Sequence, residues 1–219
     1  MYDRHIVIDL EFTPVSRKCP EVREYMRDEI IQIGAVMLDR DYHFIGSFSS
    51  YVKPRYVESI VPKVAALTGI SDSDLVNASD LEEALERLCA WIGDTGRVRV
   101  YSWSDTDLWQ LDTECWVKRL EFPCCMGRWM DFQRIFCRMI GSNRQISLKD
   151  AVACANFKFR GEAHTALWDA MSTAELLRMS TRDKEFGESC RSLREKFTAK
   201  HAGSTIGDLV GSQLASLVA

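Results

Sequence analysis

The chain lacks long apolar runs. No stretch approaches the roughly 20 residues that a membrane-spanning helix needs, and no charged leader with an apolar centre follows Met1. An excess of positive charge is also missing: 28 Lys and Arg stand against 32 Asp and Glu. The net charge of −4 argues against a protein that coats nucleic acid, though not against one that grips a chain end. Eight cysteines are present, but no CxxC pair and no Cys/His spacing suited to zinc. Cys89 in LERLCAWI and Cys154 in DAVACANF sit inside apolar helical patterns, as thiols buried in a reducing cytosol would. Repeats and low-complexity tracts are absent before the C-terminal segment. A soluble cytoplasmic protein is expected.

What is present suffices for a sizeable core, because 46% of the 219 residues are hydrophobic and 27% charged. The stretch RHIVIDLEFT (4–13) reads as a strand. Its side chains alternate, so Ile6, Ile8, Leu10 and Phe12 point one way and Val7, Asp9, Glu11 and Thr13 the other. Asp9 and Glu11 then lie about 6–7 Å apart on one face. On a buried strand such a pair is costly unless a cation sits between the carboxylates. A half-exposed edge strand with a polar face is the alternative.

A basic loop with two prolines follows (14–28). Residues 29–54 form two apolar runs broken at Asp39-Arg40-Asp41, which predicts a hairpin and three antiparallel strands in all. The period then becomes helical. A short helix ends at Gly69, and Ser79 with Glu82 forms a capping box for a helix through about Trp91. RVRVYSW (97–103) is a fourth strand, followed by helical patterns at 105–120, 128–140, 147–155 and 165–180. Strands followed by strand–helix alternation predict an α/β domain, a mixed sheet flanked by helices. Residues 181–219 differ: a charged helix leads into a Gly/Ser-rich end, read as a C-terminal extension that packs, dimerises or frays. The domain is assigned to 1–180.

Further acids follow the fourth strand. Asp105 and Asp107 open a helix that Ser104 can cap, and acids there favour the positive end of the helix dipole. The carboxyl end of a sheet strand is also where open α/β sheets place ligands. In GEAHTALWDAMSTAELL (161–177), Asp169 borders an apolar helical stripe. His164 precedes it by five residues, about 140° round an ideal helix, so the two share a site only if His164 lies on the incoming loop. Taken jointly, Asp9, Glu11, Asp107, Asp169 and His164 can converge. All-oxygen ligation suits hard Mg²⁺ or Mn²⁺ and is poor for zinc. Two such ions can drive an in-line phosphoryl displacement.

These motifs resemble those of the DEDDh exonucleases, histidine-bearing members of the ribonuclease-H-like superfamily. VIDLEFT supplies the first motif, SWSDTDLWQL the second and HTALWDA the third, with EIIQIGAV, LTGIS and FSSYVKP in support. The resemblance spans about residues 4–180 and is nearest to a KapD-like subgroup that includes RNA-trimming exonuclease domains. Ser104 departs from the glycine of that subgroup's TWGxxD motif, with Asp107 taking the acid position and Asp105 the second choice.

The resemblance implies a five-stranded mixed sheet whose first three strands are antiparallel. It implies a two-metal 3′–5′ exonuclease, a hydrolase that releases nucleoside 5′-monophosphates from single-stranded nucleic acid, RNA in preference. Asp9, Glu11, Asp107 and Asp169 would bind two Mg²⁺ or Mn²⁺ ions, and His164 would act as general base. Glu11, Phe12, Thr13 and His164 would contact the terminal nucleotide. Trp103 would either stack a base or occupy the core, and Arg17, Lys18, Arg23 and Arg27 could guide phosphates. A DNA exonuclease in repair and a non-catalytic nucleic-acid-binding module are the competing readings; a homodimer is also open.

Overall fold

The computed structural model describes residues 2–93, 97–126, 128–157 and 165–201. Its elements run β1 (Arg4–Pro14), α1 (Pro20–Arg23), β2 (Asp28–Asp39), β3 (Phe44–Tyr51), α2 (Pro62–Thr68), α3 (Asp72–Leu75), α4 (Leu81–Ile92), β4 (Val98–Ser102), α5 (Thr106–Lys118), β5 (Trp129–Asp131), α6 (Phe132–Met139), α7 (Leu148–Cys154), α8 (Ala166–Arg182) and α9 (Phe186–His201), with a 3₁₀ turn at Cys124–Met126. The strands form one sheet in the order β3-β2-β1-β4-β5. β1–β2 and β2–β3 are antiparallel, β1–β4 and β4–β5 parallel. The expected mixed five-stranded sheet with an antiparallel opening is therefore the observed one.

Alternation along β1 divides the core. Ile6, Ile8 and Leu10 pack with Ala84, Leu85 and Leu88 of α4 and Leu111 and Cys115 of α5. Val7 packs on the opposite face with α6, α7, α8 and α9, through residues such as Phe132, Phe136, Val152, Ala170 and Phe186. A bulge in β2 places Glu11 opposite Gln32 but Phe12 opposite Ile30. It shifts the phase of β2, so that Ile30 and Ile33 both reach the α4–α5 side. The spare residue, Ile31, is fully buried in a third cluster with Ile60, Ile70 and Leu75.

Some local readings change. The 128–140 pattern is a short strand, β5, joined directly to α6, because residues 129–131 pair with β4. Helix α4 is capped by Asp80, whose Oδ1 accepts from the Glu83 N–H at 3.0 Å, and the Ser79 hydroxyl accepts from Arg87 instead. Helix α5 has Asp105 at its N-cap position, and the Ser104 hydroxyl is 3.4 Å from the Thr106 nitrogen. Phe186 and Cys190 of α9 are buried against the α6–α8 side, while residues 202–219 of the expected extension lie outside the described residues. No helix among the described residues is long and apolar enough to cross a membrane. No disulfide joins the described cysteines.

Candidate active site

β1 pairs with β4 only from Arg4 to Val7 and with β2 over its whole length. Beyond Val7 the two parallel strands part, and the β4 side of β1 opens. The N-terminus of α5 fills this gap. The buried Asp107 carboxylate accepts a hydrogen bond from the Leu10 N–H through Oδ1, at 3.0 Å, and so replaces the missing strand partner. Helix α5 packs on the face opposite Asp9, yet its first turn reaches the open edge beside Asp9.

The other acidic helix arrives from the α8 side. Gly34 lies directly across from Asp9 in the β1–β2 register. A Cβ at Gly34 would stand 2.2 Å from the Ala166 carbonyl carbon and the Leu167 nitrogen, so only glycine lets the first turn of α8 approach so closely. Gln32, across from Glu11, accepts from the Ala166 N–H at 3.0 Å through Oε1 and satisfies one of the helix's orphan donors. Asp169, in that same first turn, is thereby carried over the strand.

One carboxylate oxygen from each of Asp9, Glu11 and Asp169 lies within 4.8 Å of the other two. Burial raises the Asp9 pKa well above the usual carboxylate range, and Asp107, Asp169 and Glu11 raise it further by charge. Burial is also the main cause at Glu11, pushed up to about 8 with help from Asp169 and Asp107. Asp107 is raised to about 7 by burial, against the hydrogen bond from Leu10. Carboxylates crowded and desolvated in this way form an oxygen-only set that fits a hard divalent cation. Such a cation would take the negative charge that the fold concentrates there.

Asp105 faces elsewhere. Its carboxylate lies 3.5 Å from the Arg134 guanidinium and is 43% exposed, outside the acidic cluster. Two residues named for substrate contact turn inward, Trp103 into the core place that was its alternative. The Trp103 indole is only 7% exposed, packed against Phe132 and Phe136, and its Nε1 donates to the Ile146 carbonyl at 3.2 Å. It is a core residue, with no face open for a base. The Thr13 side chain is wholly buried as well, so it presents no hydroxyl to a substrate. Phe12 lies half-buried on the α4–α5 side of β1, opposite the carboxylates. His164 falls outside the described residues. Gly34 and Gln32 escaped the motif reading, although both stand in EIIQIGAV and a glycine within a strand signals close backbone approach.

Comparison with known proteins places this geometry among relatives. A protein-family model described as RNase_T, Exonuclease, matches residues 6–177. The mouse protein "ERI1 exoribonuclease 2" is 28% identical over 92% of this chain and 32% of its own length. This chain therefore spans about a third of that relative. The "Probable 3′-5′ exonuclease KapD" of Bacillus subtilis is 23% identical over 84% of this chain and 87% of that protein. Among solved structures, the nuclease domain of 3′hExo, described as a DEDDh family member bound to rAMP, has a TM-score of 0.72 at 21% identity, covering 87% of this chain and 94% of that one.

Proposed function

The chain belongs to the RNase_T exonuclease family, and from that premise we propose that it is a metal-dependent 3′–5′ exonuclease acting on single strands, RNA before DNA. The observation that carries the proposal is the meeting of Asp9, Glu11 and Asp169 within 4.8 Å, with Asp107 buried beside them. The RNA preference is supported by a relative named an exoribonuclease. The eight free thiols, five of them buried, support a cytoplasmic location.

In this reading Asp9, Glu11 and Asp169 would hold one Mg²⁺ or Mn²⁺ ion, and Asp9 with Asp107 would hold a second. When bound, the ions lower the pKa of the attacking water and neutralise charge on the phosphate and the leaving oxygen. His164 takes the proton of that water, a general-base task to which imidazole is suited, since histidine's unperturbed pKa is near 6.5. The water oxygen bonds to phosphorus, the bond to the 3′ oxygen breaks, and that oxygen regains a proton on the shortened strand. The products are a nucleoside 5′-monophosphate and a strand one nucleotide shorter. Glu11 and the backbone after it face the terminal sugar. The Leu10–Asp107 hydrogen bond keeps Asp107 aimed at the gap before substrate arrives.

Digestion of 5′-labelled and 3′-labelled single-stranded RNA, with Mg²⁺, Mn²⁺ or chelator, tests this directly. The 5′-labelled strand should yield a metal-dependent ladder and the 3′-labelled strand a labelled mononucleotide. A ladder on DNA alone would reassign the substrate. No product from either polymer with either metal would leave only a binding module.

A further inference from the structure

Three large aromatic side chains stand in water on α5 and on the segment beside it. Tyr25, Trp109 and Trp116 are 62%, 63% and 65% exposed, more than any other Phe, Tyr or Trp ring among the described residues. Trp109 and Trp116 are seven residues apart on α5, which puts them on one face about 10 Å apart along the axis. Tyr25 closes on Trp116 with ring centroids 5.3 Å apart and planes at 60°. Beside Tyr25 runs an open groove of about 430 Å³ lined by Arg17, Pro20, Arg23, Glu24 and Arg27. Three guanidiniums to one carboxylate is a local reversal of the chain's net −4. Gln110 donates to the Asp28 carbonyl at 2.7 Å and ties α5 to this segment.

The groove also adjoins the chain that continues β1 beyond the site. β1 runs on past Glu11 to Pro14, and the Val15 N–H bonds to the Arg27 carbonyl at 3.0 Å. About 13 Å of extended chain separates Glu11 from Val15. Arginine beside exposed rings matches the two chemistries of a single strand: phosphates for guanidiniums, and base faces for aromatic platforms that accept any base. We propose that the Arg17–Arg23–Arg27 groove and the Tyr25–Trp116 pair form a track for the strand upstream of its 3′ end, with Trp109 extending the aromatic side. This inference rests on the exonuclease reading and adds how a long substrate is held.

The test compares the full chain with Tyr25→Ala/Trp116→Ala and with Arg17→Ala/Arg27→Ala. Arg23 is left in place because its guanidinium donates to the Val15 carbonyl and holds the loop. Binding of a fluorescein-labelled 12-nucleotide RNA is measured with chelator present, and turnover of the same RNA and of a dinucleotide is measured with Mg²⁺. The aromatic variant should weaken 12-nucleotide binding about tenfold and raise its KM equally. Dinucleotide turnover should be unchanged. The arginine variant should flatten the log–log salt dependence of binding by about 1.4, roughly 0.7 for each lost phosphate contact. Wild-type binding retained by both variants would overturn the track. So would equal losses on both lengths, which place the residues in the chemistry or the folding. A change in oligomeric state with RNA binding intact would assign the patch to contact between copies and also overturn it. A wild type that binds the 12-nucleotide RNA but hydrolyses neither substrate would sink the catalytic reading while the variants still decide the track.

Discussion

Among the described residues, two groups of carboxylates are drawn wholly or partly out of water, and they are built differently. Glu29 and Glu114 are fully buried, and the Lys118 ammonium sits between them at 2.6 and 2.8 Å. Backbone N–H groups complete the arrangement: Arg55 and Tyr56 donate to Glu29, Ile30 to Glu114. Burial raises the Glu114 pKa, and Lys118 pulls against it; burial opposes the Lys118 charge, and the two glutamates outweigh it. At Asp9 the balance is different, since burial and every charge acting on it push its pKa upward. The first group carries its own cation and serves to clamp α5 to β2 and to the chain after β3. The second concentrates negative charge that an external cation can relieve. Buried acid alone therefore does not mark a metal site; the sign of the charges around it does.

The contrast can be broken from either side. Lys118→Met removes the internal cation and leaves two buried glutamates facing each other, which should cost about 3–5 kcal/mol of stability, read as a lowered urea midpoint. Asp107→Asn should lower kcat about 10³-fold with little change in Tm, whereas Asp105→Asn, at the Arg134 pair, should stay within about threefold of wild type. The reverse ranking in a ladder assay would move the second-motif acid to Asp105. Gly34→Ala forces the first turn of α8 away from β1, so activity should drop about 100-fold while Gln32→Ala, losing one buried acceptor, should cost only about 1–3 kcal/mol of stability.

The smallest expected effect is a pH dependence. Glu11 has a folded-state pKa of about 8, above its unfolded value, so the folded protein holds the extra proton. Its contribution to stability is present below the unfolded pKa and is lost as pH rises through about 8; Asp107, at about 7, acts in the same direction. With chelator present, Tm should therefore decline from pH 5 to pH 8 more steeply in wild type than in Glu11→Gln. Mn²⁺ should raise Tm more at pH 8 than at pH 6, because it competes with protons for the same oxygens. Calorimetric scans with and without metal read both; identical slopes in the two proteins would mean that Glu11 titrates normally.

Much of the site was legible along the chain because its signals are local. The IVIDLEF alternation needs only strand geometry to put Asp9 and Glu11 on one face, and β1 does so. The hairpin at 39–43 was readable from its polar break, where Asp39 Oδ1 accepts from the Asp41 and His43 N–H groups. Trp103 was not legible, because its burial comes from Phe132 and Phe136, which arrive from α6. Trp103→Ala should accordingly lower stability by about 3–5 kcal/mol. β5 was hidden for a similar reason: three residues carry no usable period, and their strand character comes from pairing with β4.

The sequence by itself determined the antiparallel opening, the α/β layering and the face shared by Asp9 and Glu11, since side-chain period follows from backbone geometry within a few residues. Tertiary structure alone set Asp107 beside Asp9 and Asp105 beside Arg134, because β1 and β4 part beyond Val7 and expose the Leu10 N–H to the Asp107 carboxylate. It also brought Asp169 to Asp9, through contact between Gly34 and a helix more than a hundred residues later in the chain. Both outcomes depend on how distant backbones pack, and close packing admits one arrangement where the local pattern admits several.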